Sequence, residues 1–322
     1  MGNSSTKLYI GSHLSTSGGW SKLIERSHEE GGTTFAFFPR SPYGRRSKAL
    51  DENGAAGFAG RLKAEQYGPL VVHAPYVYNF AAKDADKREF AVNAMIEDMR
   101  LLSAIRRAGQ PLYLNVHPGA HVGQGSEVGC RLIAESLSRV LIALSTGTGA
   151  DGGDGSGSET PVVPILLETM AGKGTECGRT FEEIAAIIDG IEERCENVGV
   201  PCVAADATGA GTEPLVGVTF DTCHVLDAGY DLVNDFDGVI GEFDQVIGLS
   251  RLKAIHVNDS INGLNSQKDR HANIGDGALD LPFFERMVND QRLCGLPMIL
   301  ETKELTPTTH RDEIALLRGM RR

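Results

Sequence analysis

The chain has 322 residues, a formal net charge of −12 and 41% hydrophobic residues. This apolar content supports a sizeable core, so we expect a globular protein of one large domain or two modest ones. No apolar run reaches the roughly 18 residues of a membrane span, and no charged and apolar leader marks secretion. The composition therefore argues against a membrane or secreted protein and predicts a cytoplasmic or nuclear one.

The negative charge has the wrong overall sign for a nucleic-acid binder, because affinity for phosphate requires cationic neutralisation. This objection weakens if a site holds several divalent cations, since bound ions are the largest local charges in a site. Many of the acidic residues would then be ligands or lie on the opposite face. Net charge alone therefore leaves the partner open.

The cysteines and the N-terminal residues bear on the cellular compartment of the protein. The six cysteines contain no Cys-x-x-Cys pair, which is typical of reduced thiols inside a cell. Residues Met1–Thr6 fit the pattern for acylation of Gly2. Strand-like sequence begins at Lys7 and leaves little tether, so a solvated N-terminus is the simpler expectation and acylation stays open.

Eight short apolar runs are typical of buried strands. They are Leu8–His13, Thr34–Phe38, Leu70–His73, Leu112–His117, Val163–Glu168, Val216–Asp221, Leu252–Val257 and Met298–Glu301. Helical periodicity between them occurs in Asp84–Arg107, Arg131–Leu144, Phe181–Ile191, Phe283–Val288 and Ile314–Leu317. Strict strand–helix alternation over about 300 residues predicts an α/β fold, a TIM (β/α)8 barrel in a single domain, rather than a doubly wound sheet.

Two glycine-rich segments interrupt this alternation. Residues 145–160 contain no apolar residue larger than alanine, and residues 199–214 are rich in glycine and alanine. Each lies between a helix and the next strand, so each is expected at the amino-terminal face of the barrel. We interpret both as flexible insertions rather than as domain boundaries.

The ends of the predicted strands carry the candidate chemistry, because such barrels build their active sites there. Nine nitrogen and oxygen donors follow the third to eighth runs: His73, His117, Glu168, Asp221, His224, His256, Asp269, His271 and Glu301. For any one of them, a hydrogen-bonded polar residue at a strand end is the simpler explanation. All nine at one mouth would be strongly unfavourable without cations to neutralise the carboxylates.

The donor set indicates the kind of metal site. Five histidines and four carboxylates without cysteine favour zinc or manganese in a catalytic site rather than a structural one. Nine donors exceed the needs of one tetrahedral ion and fit a cluster of two or three, especially if a glutamate bridges. Such clusters suit in-line phosphoryl displacement, since separate ions can hold the attacking and leaving oxygens.

The same donors lie in recognisable motifs. The stretches are Ile10–Ser15 (IGSHLS), Val72–Tyr76 (VHAPY), Asn115–His121 (NVHPGAH), Leu167–Thr169 (LET), Phe220–His224 (FDTCH), His256–Ser260 (HVNDS), Lys268–His271 (KDRH), Ile274–Gly277 (IGDG) and Ile299–Thr302 (ILET). As a set, and over nearly its whole length, the chain resembles the endonuclease IV family of apurinic/apyrimidinic (AP) endonucleases.

The resemblance implies a TIM barrel with three zinc ions, manganese being an alternative at one of them. It implies one ion on His73, His117 and Glu168, a second on Glu168 (bridging), Asp221, His256 and Glu301, and a third on His224, Asp269 and His271. A hydroxide between the first two ions would attack the phosphate 5′ to an abasic site in double-stranded DNA. The expected product has a 3′-hydroxyl, and 3′-diesterase activity and a monomeric state are further expectations.

The resemblance also implies DNA contacts. Tyr76 is expected to enter the duplex at the lesion, although a tyrosine packed on the rim is the alternative. Arg270 is expected to contact a phosphate or to pair with an acid. After the second strand, the family's Lys-Asn-Pro-Arg-x-Trp is replaced by RSPYGRR, residues 40–46. We therefore assign phosphate contacts to Arg45 and Arg46, while the residue that fills the lesion gap stays open.

Four histidines lie outside the ligand set. His13 and His121 match the family without being ligands in it, so we expect them to orient ligands or to hydrogen-bond within the core or a loop. His28 and His310 match no motif of the family and are expected to be structural or surface residues.

Two other functions compete with a nuclease. A divalent-metal sugar isomerase would share the barrel and a carboxylate/histidine site, but it needs two metals and usually a catalytic lysine or histidine. The third ligand set, His224 with Asp269 and His271, argues against it. A DNA-lesion binder without activity would be expected to have lost at least one ligand, and none is lost.

Overall fold

The computed structural model describes residues 7–43, 50–147, 161–206, 211–303 and 309–322. The strands are β1 (Tyr9–Leu14), β2 (Ala36–Phe37), β3 (Leu70–His73), β4 (Leu112–Val116), β5 (Ile165–Glu168), β6 (Val203–Ala205), β7 (Thr212–Pro214), β8 (Val216–Asp221), β9 (Leu252–His256), β10 (Asp259–Ser260), β11 (His271–Ala272) and β12 (Pro297–Leu300). The helices are α1 (Trp20–Glu30), α2 (Glu52–Ala64), α3 (Ala85–Arg107), α4 (Ser126–Thr146), α5 (Phe181–Glu196), α6 (Thr222–Ala228), α7 (Phe236–Val246), α8 (Asp280–Asn289) and α9 (His310–Gly319). None of the helices in these ranges is long and apolar enough to cross a membrane.

Within the described residues, eight parallel strands close a barrel in the order β1-β2-β3-β4-β5-β8-β9-β12. The ring closes at β1, which pairs with β12 from Tyr9↔Pro297 to Ser12↔Leu300 and with β2 at His13↔Ala36. Strands β3, β5 and β12 are buried along their whole length. Strands covered on both faces are continuously apolar, which is why the sequence marked them as short apolar runs. The predicted TIM barrel is confirmed.

The inside of the barrel is filled by a small apolar cluster. Its buried members are Ala36, Val71, Leu166, Ala254 and Ile299. Residues two apart in a strand point to the same side, so each of the last four places a polar side chain directly above the cluster. These side chains are His73, Glu168, His256 and Glu301. The alternation of the strands thus directs the candidate ligands inward at one mouth.

The helix ends follow local capping chemistry. Asp84 begins α3 by accepting a hydrogen bond from the Asp86 amide at 3.0 Å, and Thr180 begins α5 by accepting one from the Glu183 amide at 3.2 Å. Every helix expected from periodicity is present. Most extend beyond the expected range, as α4 does, because capping residues and polar first turns lie outside the apolar pattern.

The structure describes the two glycine-rich segments only in part. Residues 145 and 146 still belong to α4, which ends at Gly147 with a left-handed φ of 68°, and residues 148–160 lie outside the described part of the chain. In the second segment β6 and β7 pair as an antiparallel hairpin. Part of the segment 199–214, which was expected to be a flexible insertion, thus forms two paired strands.

The hairpin is held by a buried ion pair. Arg106, in the last turn of α3, pairs with Glu213 of β7 and donates to the Ala205 carbonyl of β6 at 3.0 Å. The same guanidinium donates to the carbonyl of Leu112, the first residue of β4, at 3.4 Å. The hairpin therefore lies at the amino-terminal face, as expected. Its anchor is distant in sequence, which explains why local composition did not reveal it.

Candidate metal centre

Glu168 lies at the middle of the mouth and is fully buried. Its Oε2 atom is 3.5 Å from Nε2 of His73 and 3.3 Å from Nε2 of His117. Its Oε1 atom is 3.1 Å from Nδ1 of His256 and 3.4 Å from Nδ1 of His224. The two carboxylate oxygens thus face different groups of imidazoles, which is the geometry that a bridging ligand requires.

The remaining carboxylates extend the cluster on both sides of Glu168. Glu301 Oε2 lies 3.1 Å from His256 Nδ1. Asp269 Oδ1 lies 3.2 Å from His224 Nε2 and 3.7 Å from His271 Nε2. The Asp221 carboxylate stands between these groups, with Oδ2 at 3.9 Å from His256 and 3.8 Å from His271. All nine candidate ligands therefore meet at one mouth.

Three groups of donors bring their ligand atoms within 4.8 Å of one another. They are His73 with His117 and Glu168, then Glu168 with Asp221, His256 and Glu301, and then Asp221 with His224 and His271. The first two groups coincide with the ligand sets that the resemblance implies. In the third group Asp221 stands where Asp269 was expected, while Asp269 approaches both imidazoles through Oδ1.

The donor atoms fit divalent cations. Among the described residues, Nε2 of His73, His256 and His271 and Oε1 of Glu301 are buried without a hydrogen-bond partner. Such atoms are costly unless a ligand satisfies them. Three imidazoles also have Nδ1 close to a backbone carbonyl: His73 to Ala74 at 2.7 Å, His224 to Thr169 at 2.9 Å and His271 to Glu301 at 3.4 Å. A proton on Nδ1 leaves Nε2 free to bind a metal.

The electrostatics of the cluster favour the ionised forms of His256 and Glu168 despite burial. Burial lowers the pKa of His256, but the Glu301 and Glu168 carboxylates outweigh it and hold this pKa well above its ordinary value. Burial raises the pKa of Glu168, but the imidazoles of His256 and His117 hold it well below its usual range. Protons and metal ions compete for the same imidazole nitrogens, so metal binding here releases protons.

Two asparagines orient the carboxylates. Asn115 donates to Glu168 Oε2 at 2.5 Å. Asn258 donates to Asp221 Oδ2 at 2.7 Å and accepts from the Glu301 amide at 2.9 Å. Sequence reasoning gave neither asparagine a role. A signal existed, because each lies two residues from a candidate ligand in or beside the same strand.

Two buried aspartates build the loop that carries the third donor group. Asp227 accepts from the Asp269 amide at 2.8 Å and fixes a residue whose φ of 50° is left-handed. Asp259 accepts from the Ser260 amide at 2.8 Å, and also from the amides of Gly275, Gly277 and Leu279 at 2.9–3.0 Å. Neither role was expected from the sequence, since apart from the Ser260 hydroxyl, which donates to Asp227, their partners are backbone amides that no side-chain pattern marks.

The expected DNA contacts lie on the rim or outside the described residues. Tyr76 is 56% exposed, and its ring lies 5.2 Å from that of His73 and 5.4 Å from that of His117. Arg270 is exposed and donates to the Asp269 carbonyl at 3.1 Å. Arg45 and Arg46 lie in the segment 44–49, which is not described.

The other histidines have distinct surroundings. His13 is near the ligand His73, with ring centroids 6.1 Å apart, and burial lowers its pKa to about 4. His121 accepts from the Gly125 amide at 3.0 Å within its loop. His28 contacts Glu65 at 2.6 Å on the surface, and His310 contacts the Thr302 carbonyl at 2.9 Å. Of the four, His13 is the one that adjoins a candidate ligand.

Comparisons with known proteins extend over almost the whole chain. A family model described as a xylose isomerase-like TIM barrel matches residues 24–202 and 203–320. A probable endonuclease 4 of Bifidobacterium longum (strain NCC 2705) is 64% identical over 314 residues, covering 98% of this chain and 99% of that relative. A probable endonuclease 4 of Clostridium botulinum (strain Alaska E43 / Type E3) is 40% identical over 313 residues, 97% of this chain and 98% of that relative.

Two solved structures are also similar to this chain over nearly its whole length. Endonuclease IV from Thermus thermophilus matches with a TM-score of 0.73 at 25% identity, covering 97% of this chain and 98% of that chain. A D-tagatose 3-epimerase-like protein matches with a TM-score of 0.60 at 16% identity, covering 97% of this chain and 96% of that chain. The second similarity shows the shared fold alone.

Proposed function

Because the chain belongs to the endonuclease IV family of DNA-cleaving, metal-dependent hydrolases, we propose that it is a zinc-dependent AP endonuclease of DNA repair. Its proposed reaction is hydrolysis of the phosphodiester 5′ to an abasic site in double-stranded DNA, leaving a 3′-hydroxyl. The observation that carries this proposal is Glu168, whose two oxygens face separate groups of imidazoles at 3.1–3.5 Å.

The proposed ligand sets are those implied by the sequence. One zinc would be held by His73, His117 and Glu168, a second by Glu168, Asp221, His256 and Glu301, and a third by His224, Asp269 and His271. Manganese would be an alternative to zinc at one of the three positions. When bound, the ions supply Lewis-acid activation of water near neutral pH and neutralise charge on the phosphate. No separate general base is then required from the protein.

The protein's own part is to hold these ligands in place. Asn115 and Asn258 fix the carboxylates of Glu168 and Asp221 through the hydrogen bonds described above. Asp227 fixes the backbone of Asp269, so its side chain points at the third group. Pre-positioned ligands avoid the cost of reorganisation when the phosphate enters.

The exposed rim supplies the proposed contacts with DNA. Tyr76 lies over the first donor group with 56% of its surface exposed, which suits a ring that enters the duplex where a base is missing. Arg270, Arg45 and Arg46 are proposed phosphate contacts. Replacing Arg45 or Arg46 by alanine should weaken binding to abasic and intact duplex in parallel and lower the salt slope by about one unit.

Several finer features belong to the same proposal. The site should also remove blocking groups from DNA 3′ ends, since that reaction breaks the same type of bond. We expect a monomer that acts in the cytoplasm or nucleus, where its DNA substrate is found. An isomerase gains no support from the site, and the epimerase-like match extends to the fold alone.

The proposal is tested by metal analysis together with a nicking assay. Protein purified without chelator should carry close to three metal ions per chain and should nick an abasic duplex without added magnesium. An otherwise identical duplex with all bases present should stay intact. His117→Ala should lose metal and nicking, whereas His28→Ala, a surface histidine paired with Glu65, should keep both. Fewer than two ions per chain, or no cleavage of the abasic duplex, would overturn the proposal.

A further inference from the structure

A buried carboxylate on α3 joins two loops at the catalytic mouth. Asp98 Oδ1 accepts from Nε of Arg40 at 2.7 Å, and Arg40 follows β2. Asp98 Oδ2 accepts from the hydroxyl of Tyr78 at 2.7 Å, and Tyr78 follows β3. The two oxygens of this one carboxylate thus bind different loops, Oδ1 the loop after β2 and Oδ2 the loop after β3. Arg40 is further tied to α3 by a bond to the Ala94 carbonyl at 3.0 Å.

Each of the two loops carries an exposed tyrosine. Tyr43, three residues after Arg40, is 83% exposed, and Tyr76, two residues before Tyr78, is 56% exposed. Large aromatic side chains that stay exposed beside a functional site mark a surface for a partner. Base–aromatic stacking requires no particular base, since every base has a π-face. Two such rings on adjacent loops fit a duplex with a gap in its stack.

We propose that Asp98 is a positioning residue that fixes Tyr43 and Tyr76 relative to each other, and that both rings contact bases bordering the abasic gap. This inference rests on the proposed function. Tyr43 thereby becomes a DNA-contacting residue, and Arg40, the first residue of the same segment, acts as its internal anchor. Because the rings act in substrate binding, the effect of Asp98 falls on KM and not on the chemical step.

The burial of the pair supports positioning over simple stabilisation. The side chains of Arg40 and Asp98 are 6% and 5% exposed. Buried ion pairs add little net stability compared with apolar packing, yet they fix geometry when both partners are fully bonded. The chain contains a comparable pair, Arg106 with Glu213, at the opposite face of the barrel. That pair provides a control with similar burial and no access to the mouth.

The test compares four single variants and one double variant as full-length, metal-loaded enzyme. Tyr78→Phe removes one hydroxyl, and Asp98→Asn removes the charge while keeping the shape. Each should raise KM for an abasic duplex by about tenfold, which corresponds to one lost hydrogen bond, with kcat within about twofold of wild type. Glu213→Gln should lower the Tm and leave KM unchanged. Tyr43→Ala should raise KM in the wild-type background and add little in the Asp98→Asn background, because both act through the same ring.

Amide hydrogen exchange provides a readout that does not depend on DNA. Asp98→Asn should speed exchange in both loops, residues 38–43 and 74–80, whereas Tyr78→Phe should affect residues 74–80 alone. Unchanged exchange in both loops overturns the positioning role. Faster exchange with unchanged KM means that Asp98 is merely structural and also overturns it. If wild-type enzyme fails to cleave abasic DNA, the proposed function fails, and the exchange pattern still decides whether Asp98 joins the loops.

Discussion

At the scale of single residues, the site depends on which oxygen of each carboxylate faces which imidazole. The convergence of six candidate donors at one mouth was predictable, because each ends or directly follows a strand and the strand ends in this barrel meet there. Asn115 and Asn258 were missed, although each lies two residues from a candidate ligand, because an amide is not among the usual zinc ligands. Asp227 was missed because the backbone amides that it binds lie 41 and 42 residues away.

Replacing the bridging carboxylate tests the centre of the site. Glu168→Gln keeps the shape but removes the charge that faces two groups of imidazoles. Nicking should fall by several orders of magnitude, while binding of abasic DNA, which depends on the rim, largely survives. Single-turnover kinetics and a binding titration measure the two effects separately. Near-normal turnover would show that the ligand assignment is wrong.

Replacing a supporting asparagine should have a smaller and different effect. Asn258→Ala removes the bonds to Asp221 and to the Glu301 amide, so metal affinity should fall by about 10- to 100-fold. Competition with a chelator measures this change. The matched control is Asn93→Ala, because Asn93 bonds Glu89 on the exposed face of α3. Equal affinities for the two variants would argue against an orienting role for Asn258.

At the scale of elements, periodicity located the helices and strands but not every boundary. The strand β2 is two residues long where five were expected, because pairing with β1 and β3 involves Ala36 and Phe37 alone. The hairpin β6–β7 could not be predicted, since its sequence is poor in the β-branched and aromatic residues that mark strands. Arg106, which is distant in the chain, contacts both of its strands.

The segment 148–160 offers a test at this scale. Its glycine- and serine-rich composition cannot form a core, and shortening a loop changes closure entropy little. It connects α4 to β5, and such helix-to-strand connections are expected at the face of a TIM barrel opposite the active site. Replacing it by a short Gly/Ser turn should leave kcat/KM for abasic DNA unchanged and shift the Tm by a few degrees at most. A large loss of activity would mean that this segment contacts DNA.

At the scale of the whole molecule, stability, metal and pH are linked. Without metal, the raised pKa of His256 contributes stability that is present below its ordinary value of 6.5 and is lost as pH rises through the raised value. The lowered pKa of Glu168 contributes stability that is present above 4.5 and is lost in acid. Metal-free protein should therefore be most stable between about pH 4.5 and 6.5.

Bound zinc should prevent the loss of stability that the metal-free protein shows above about pH 6.5. Metal binds the deprotonated imidazoles more tightly as pH rises, and a ligand bound to the folded state raises its stability by mass action. The Tm of metal-free protein should thus fall above pH 6.5 while that of the zinc-loaded protein holds or rises. Calorimetry at several pH values, with and without chelator, measures both. If the Tm of metal-free and zinc-loaded protein changed with pH in the same way, the imidazoles would not be the groups that bind the metal.

The closure of the barrel has a consequence for how the protein is made. Strand β1 needs both β2 and β12 as neighbours, and β12 leads directly into the candidate ligand Glu301. At ordinary rates of synthesis, roughly 15 to 60 seconds separate the first strand from the last. During that interval the nascent sheet has two unpaired edges, which makes it vulnerable to aggregation. The same delay ensures that the full set of candidate ligands exists only once Glu301 has been synthesised.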